Sequence, residues 1–359
     1  MFGWDSRSCL PIGVDIGTRS VKLLQLRQRQ GQLVLQAAAR AEIPGLDAGP
    51  GRTAAIVETL RRLLAGGAFV GRRCVSSLPA RQVVSRSIRL PQMPDDERVR
   101  AVRFEAQDRF GFDLDQARLE YFIAGEARRG TEVRDELLLF AASGDTLRQH
   151  VEEIAAAGLV VEAIDLQPCA LHRALRRVLP PEPAALQALI DIGAGGTQLI
   201  MLQGDRMVFY KHIEVGGEAF TSAASQKLGL GREEAGQLLT QVAQGVDAGA
   251  NPQLAQAVLD AVRPALEEVG RELDMCLRYY VVTFRGTRPE HAYLVGGHAA
   301  SVRIAESLGQ TIGAQLRGAA PLGTIVQDTP LIDPAAAGQW AVAAGLALYS
   351  LPEPAGVAA

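Results

Sequence analysis

The sequence predicts an α/β fold made of two similar halves facing each other across a cleft, with a small α+β subdomain inserted into the first half. Three observations predict it. The stretch "IGVDIGTRSVKLLQL" (Ile12 to Leu26) returns as "LIDIGAGGTQLIMLQ" (Leu189 to Gln203), with Asp15-Ile16-Gly17 falling on Asp191-Ile192-Gly193 and Leu23 and Leu26 on Leu199 and Leu202. After each copy comes a glycine turn, Gly31 or Gly204, and a third apolar strand, so each half opens with three consecutive antiparallel strands and carries an acid at the end of the first. Between the copies the texture changes to β-α-β-β-α over about 80 residues, enough for a small inserted unit.

The elements follow in order. Thr53 to Leu64 has helical period, with Ile56, Val57, Leu60, Leu63 and Leu64 apolar, and Val75 to Leu78 is a strand leaving the first half. The inserted segment, residues 79–158, gives a strand, a helix after Pro94 with Asp95 or Asp96 as cap, two strands ending in "ELLLFAA", and a helix from Asp145 to Ala157 stopped by Gly158. A strand and helix over Val160 to Leu179 return to the first half, which takes residues 10–78 and 159–184 together with a C-terminal helix over 335–350. The second half, 185–334, contains a helical part at about 218–285, with helices over Glu218 to Gln244 and Pro252 to Tyr280. In the latter, Val258, Val262, Leu266, Val269, Leu273 and Leu277 form one stripe, and Pro264 implies a kink or a break. "HAYLVGGHAASVRIAESL" is a strand, a Gly-Gly turn and a helix, and the Pro- and Ala-rich tail "LPEPAGVAA" is expected to fray.

With 359 residues, 48% of them hydrophobic, the chain can bury more than one core. Lys plus Arg number 37 against 40 for Asp plus Glu, and the arginines are scattered, so nothing points to nucleic acid as a partner. Cys9, Cys74, Cys169 and Cys276 are far apart and stand at no metal-ligand spacing, which suits reduced, mostly buried thiols of a cytosolic protein. No run reaches the roughly 18 apolar residues of a membrane-spanning helix. "MFGWDSRSCLP" has neither a basic region nor an apolar core of a signal peptide, so neither secretion nor a membrane span is expected.

The two acid-glycine motifs suggest a chemistry. A hairpin tip without bulky side chains points several backbone N–H groups one way, a natural anion cradle. Thr18 and Ser20 add hydroxyls and Lys22 a cation. Two such tips facing each other would grip the phosphates of a nucleotide, and Asp15 and Asp191 would hold Mg²⁺ through its water shell, because that small hard ion keeps several waters and takes few carboxylates. Gly296 and Gly297 in "YLVGGHA" let the chain approach a flat base or ribose with no side chain between. A lone D-I-G-T fits an ordinary turn equally well; the duplication and the third motif make the nucleotide reading specific.

Together, "DIGTRSVK", "IDLQPCALHRAL", "DIGAGGT", "YLVGGHA" and "AVAAGLALY" resemble the two phosphate motifs, the adenosine motif and the two connecting segments of the actin, Hsp70 and sugar-kinase superfamily. Within it the chain is most similar to the PilM family, the FtsA-like actin homologues of type IV pilus assembly. That likeness is carried by "IRLPQMPDDERVRAVRFEAQDRFGFDLDQARLEYFI", "LLLFAASGDTLRQHVEEIAAAGL" and "IEVGGEAFTSAASQKLGLGREEAGQLL", and it covers nearly all of residues 10–350.

The resemblance implies a duplicated actin-like (RNase H-like) ATPase fold with two lobes around a nucleotide cleft, and ATP and Mg²⁺ as ligands. It implies Asp15, Gly17, Thr18, Ser20 and Lys22 as the first phosphate loop and Asp191, Gly193, Gly195, Gly196 and Thr197 as the second, with Asp15 and Asp191 at the metal. Gln167 matches the residue that positions the attacking water, with Asp165 a neighbouring substitute; Asp191 completes the catalytic set. Gly216, Gly217 and Glu218 approach the ribose, and Gly296 and Gly297 the adenine; His298 brushes the base or is structural. Arg19 replaces a small residue and either reaches a phosphate or points to solvent, while Gly236 and Gln237 stand where relatives carry an acid and, slightly further on, a lysine.

The implied function is that of a cytoplasmic adaptor, with ATP binding and weak or regulated turnover, in a pilus, secretion or competence machine. Its implied partner is the cytoplasmic N-terminal peptide of a PilN-like bitopic inner-membrane protein, which would hold it at the membrane with "MFGW" as an aid; self-association is open. The rivals are a small-molecule kinase of the same fold, which would need an aspartate base that the insert does not offer, a nucleotide-binding FtsA-like scaffold, which would need a basic amphipathic C-terminal helix, and a degenerate pseudo-ATPase.

Overall fold

The computed structural model describes residues 8–44, 50–107, 109–129, 132–180, 185–243, 252–284, 286–289, 291–299 and 301–352; "MFGW" and the last seven residues of the tail lie outside them. In chain order the first half supplies β1 (Ile12–Ile16), β2 (Ser20–Arg29), β3 (Gln32–Glu42), α1 (Pro50–Gly66) and β4 (Arg73–Ser77). The inserted segment supplies β5 (Val84–Pro91), α2 (Asp95–Ala106), β6 (Ala117–Arg129), β7 (Glu132–Ser143) and α3 (Gly144–Ala156), after which β8 (Val160–Asp165) and α4 (Gln167–Leu175) return. The second half contains β9 (Leu186–Ile192), β10 (Thr197–Gln203), β11 (Arg206–Ile213), α5 (Gly217–Leu228), α6 (Arg232–Ala243), α7 (Pro252–Phe284), β12 (His291–Gly296), α8 (Val302–Ile312) and β13 (Gln315–Gly318); α9 (Ala341–Ala347) follows.

The duplication is visible in the sheets. The first runs β3-β2-β1-β4-β8 and the second β11-β10-β9-β12-β13: in each, an antiparallel triplet is extended by two parallel strands. The "IGVDI" of β1 is buried throughout, as suits a strand covered on both faces. Ile12, Val14 and Ile16 pack with Leu60 of α1 and Ile154 of α3 on one face. On the other face Gly13 meets α9, where a β-carbon would run into the Ala343 carbonyl oxygen. α9 in turn crosses α4 so closely that a β-carbon on Gly345 would overlap the carbonyl oxygen of Ala170.

The inserted sheet has the order β5-β7-β6. Its central strand buries both faces: Leu137 and Leu139 pack with Val102 and Ala106 of α2, while Leu138 and Phe140 face the second half, with the Phe140 and Tyr210 rings 5.1 Å apart. α3, although encoded in this segment, packs on the first sheet through Ile154.

Local details differ from expectation at five places. The expected C-terminal helix over 335–350 is a 3-10 segment over Pro334–Trp340, capped by the Asp333 carboxylate, followed by the short α9. α2 has Pro94 as its N-cap with no side-chain cap; Asp95, Asp96 and Glu97 lie inside the first turn, where carboxylates favour the helix dipole. The stretch from Glu218 onward is two helices, because Gly229 takes a left-handed φ of 67° and ends α5. α7 runs 33 residues through Pro264 without a break, so of a kink or a break the break is the one not met; the buried stripe Val258 to Leu277 on either side of the proline holds the helix against the lost hydrogen bond. The Gly296-Gly297 turn does not open α8, which starts at Val302 behind Ser301, whose hydroxyl accepts from the Ile304 N–H.

The α4–α9 crossing predicts that Gly345→Ala lowers stability by roughly 2 kcal/mol or more, because a helix backbone cannot yield as a flexible side chain would. Gly51, whose β-carbon would meet nothing within 4 Å, should accept alanine without loss. Urea unfolding of the two variants checks this.

Candidate functional site

The two motif turns are built alike. The Gly17 N–H donates to the Ser20 carbonyl at 3.0 Å and the Gly193 N–H to the Gly196 carbonyl at 2.9 Å. The Thr18 side chain lies directly on Gly195, which has to be bare for the turns to meet. A cleft of about 720 Å³ opens beside them, lined by Asp15, Lys22, Gln167, Asp191, Gly296 and Gly297 among others.

Each acid faces a cross-strand partner at the same position of the repeat. Asp15 pairs in register with Lys22, whose Nζ lies 2.9 Å from Asp15 Oδ2. Asp191 pairs with Gln198, whose Nε2 donates to Asp191 Oδ2 at 3.2 Å and to Gln167 Oε1 at 2.9 Å, while the Tyr210 hydroxyl donates to Gln198 Oε1 at 3.1 Å. One half thus neutralises its acid with a cation, and the other holds it with an amide. Desolvation, and then the charge of Asp15, push Asp191 up to about 6, against the pull of Lys22 and Gln198. Among the described residues no group of three or more His, Cys, Asp or Glu could enclose a metal. Two carboxylates and an amide oxygen instead suit a hard cation that keeps its waters and takes phosphate oxygens, so the donor set fits Mg²⁺.

The other predicted residues fall into three groups. Gly17, Thr18, Arg19, Ser20, Gly193, Gly195, Gly196, Gly217 and His298 line the cleft with the acids. Support comes from behind: Thr197 is buried and donates to the Val215 carbonyl at 2.7 Å, a β-carbon on Gly216 would crowd the Gly193 carbonyl at 2.5 Å, and the Gly217 and Glu218 N–H groups tie the second turn to α5 by donating to Gly193 O and Ala194 O. Gly296 takes φ 100°, and a β-carbon there would lie 2.8 Å from Asp191 Oδ1, so glycine is required. His298 is buried edge-on to Phe220 at 5.4 Å, and burial lowers it to about 4, which keeps its ring neutral. Asp165 stands apart: it accepts from the Leu166 N–H and from Arg173, both at 2.8 Å, and does not line the cleft. Arg19 does not simply point to solvent: it is half-buried, lines the cleft and reaches across to Gly236 on α6.

Several contributors escaped the sequence reading. Gln198 and Tyr210 hold Asp191; Arg52 Nη2 donates to the carbonyls of Gly17 (3.1 Å) and Thr18 (2.7 Å), and Arg81 Nη1 donates to Thr18 Oγ1 at 3.3 Å. For Gln198 a signal existed, a lone amide in the apolar run "TQLIML".

The raised Asp191 fixes a pH dependence. The unfolded chain ionises this group near 3.9 and the folded chain near 6, so stability declines as pH rises between those values and stays lower above them. In EDTA-containing buffer Asp191→Asn removes that decline: urea midpoints should show the variant gaining up to ~3 kcal/mol over wild type above pH 6 and nothing at pH 4.

A model of the family described as type IV pilus assembly protein PilM matches residues 13–351. Among solved structures, the chain is similar to the PilM-PilN type IV pilus biogenesis complex at 26% identity, covering 96% of this chain and 99% of that one, with a TM-score of 0.80. It shares its fold with the ethanolamine utilization protein EutJ of Carboxydothermus hydrogenoformans (15% identity, 95% and 90% covered, TM-score 0.57). The same holds for a diol dehydratase-reactivating factor (11%, 94% and 99%, TM-score 0.51). With a duplicated actin-like frame and a family match over almost its whole length, the chain belongs to the PilM family of type IV pilus assembly proteins.

Proposed function

We propose that the protein is an ATP-binding adaptor of type IV pilus assembly, or of a related secretion or competence machine, which recruits the cytoplasmic N-terminal peptide of a PilN-like membrane protein. The observation that carries the nucleotide reading is the repeated turn with an acid behind each copy. A merely structural hairpin pair has no use for two carboxylates so placed that the charge of Asp15 raises the proton affinity of Asp191. The partner reading rests on the 26% identity and TM-score of 0.80 to a protein captured with PilN, and the peptide would enter between the inserted segment and the adjacent first half as an extended chain. No helix among the described residues is long and apolar enough to cross a membrane, so such a partner would supply the attachment.

In this reading backbone N–H groups of both turns would take the phosphates, Lys22 would offset their charge, and Asp15 and Asp191 would hold the metal. Gly296 and Gly297 border the base, and Gly217 and Glu218 the ribose. Bound Mg²⁺ would neutralise developing charge on the phosphate oxygens. Gln167, held by Gln198, orients the water, and turnover is weak or regulated. A small-molecule kinase is disfavoured because the aspartates lining the cleft are Asp15 and Asp191 themselves, and Asp165 is committed to Arg173.

Mg-ATP should raise the melting temperature of the wild type and leave that of Asp191→Ala unchanged; equal shifts in both would exclude the site. By fluorescence anisotropy, a labelled peptide from the cytoplasmic end of a PilN-like protein should bind. Absence of binding to both apo and ATP-loaded protein would overturn the adaptor role.

A further inference from the structure

We propose that Arg19 is a strap across the mouth of the cleft, whose guanidinium closes over the ribose-phosphate part of a bound nucleotide. This rests on the nucleotide reading above and adds a residue that determines how long the nucleotide stays.

The backbone of Arg19 is fixed, since its carbonyl accepts the Ile43 N–H at 2.8 Å. Its side chain is half-buried and lines the cleft. A β-carbon on Gly236 would lie 3.5 Å from Arg19 Nη1 and 4.0 Å from Nη2, so the side chain spans from the first turn to α6 of the opposite half. The other lysines and arginines lining the cleft are engaged: Lys22 by Asp15, Arg40 by Glu42 at 3.5 Å, and Arg81 of the inserted segment by the Thr18 hydroxyl. Among the described residues Arg19 makes no side-chain hydrogen bond or ion pair, so its planar fork of donors is uncommitted within a cleft that already offers anion-binding turns. A guanidinium so placed suits a phosphate oxygen pair or the ribose edge. Only the first half can carry such a strap, because the equivalent residue of the second turn, Gly195, has to stay bare beneath Thr18. An acid at position 236 would pair with Arg19 and shut the mouth.

The test uses the full-length protein and a fluorescent ATP analogue with Mg²⁺ in stopped flow, beside the melting temperature of each apo variant. Arg19→Ala should release the nucleotide about tenfold faster or more, with little change in association rate and an unchanged apo melting temperature. Arg19→Lys should recover only part of the loss, since a point charge lacks the fork. Gly236→Ala, an ordinary contact at 3.5 Å, should behave as wild type. Gly236→Glu should weaken binding, and adding Arg19→Ala to it should cause no further loss. If the wild type binds and Arg19→Ala releases at the wild-type rate, the strap is wrong while the site stands; if the wild type does not bind Mg-nucleotide, both fail.

Discussion

The structure is organised around the approach of two carboxylates. Asp15 and Asp191 stand at the ends of the central strands of two sheets, near enough that the charge of one disfavours ionisation of the other. Bringing like charges together in a desolvated cleft costs free energy, and the chain offsets it unequally, with an ammonium on one acid and an amide on the other. In the proposed reading, what remains uncompensated would favour a bound cation, since any ion that relieves it binds the folded state in preference to the unfolded one.

The rest of the fold serves to hold that pair in place. Gly13 lets α9 lie against β1, and Gly345 lets α9 cross α4, so the strand end carrying Asp15 and the helix start carrying Gln167 are fixed to the same element. On the other side Gln198 is bound by Tyr210, whose ring packs on Phe140 of the inserted sheet. Asp191 is thereby connected through Gln198, Tyr210 and Phe140 to the segment that would receive the partner.

Much of this was legible in the sequence because duplication writes the same local pattern twice. The three-strand openings, the acids behind the turns and the β-α-β-β-α order of the insert follow from strand periodicity and glycine placement. What was not legible depended on tertiary proximity. Gln198 looks like one polar residue in an apolar strand until pairing puts it opposite Asp191, and Arg52 and Arg81 reach the first turn from distant segments. Pro264 does not break α7 because packing on a long apolar stripe outweighs a local helix-breaking preference. Arg19 could be interpreted only once α6 was seen to present a glycine beneath it.

The central claim, a nucleotide and its metal held between the two turns, is tested most directly by a crystal structure of the protein grown with Mg²⁺ and a non-hydrolysable ATP analogue. The account predicts phosphate density between the Gly17–Ser20 and Gly193–Gly196 turns, with the metal bridged by water to Asp15 and Asp191. Nucleotide bound elsewhere, or an ordered triphosphate in the cleft with no metal near either acid, would contradict it.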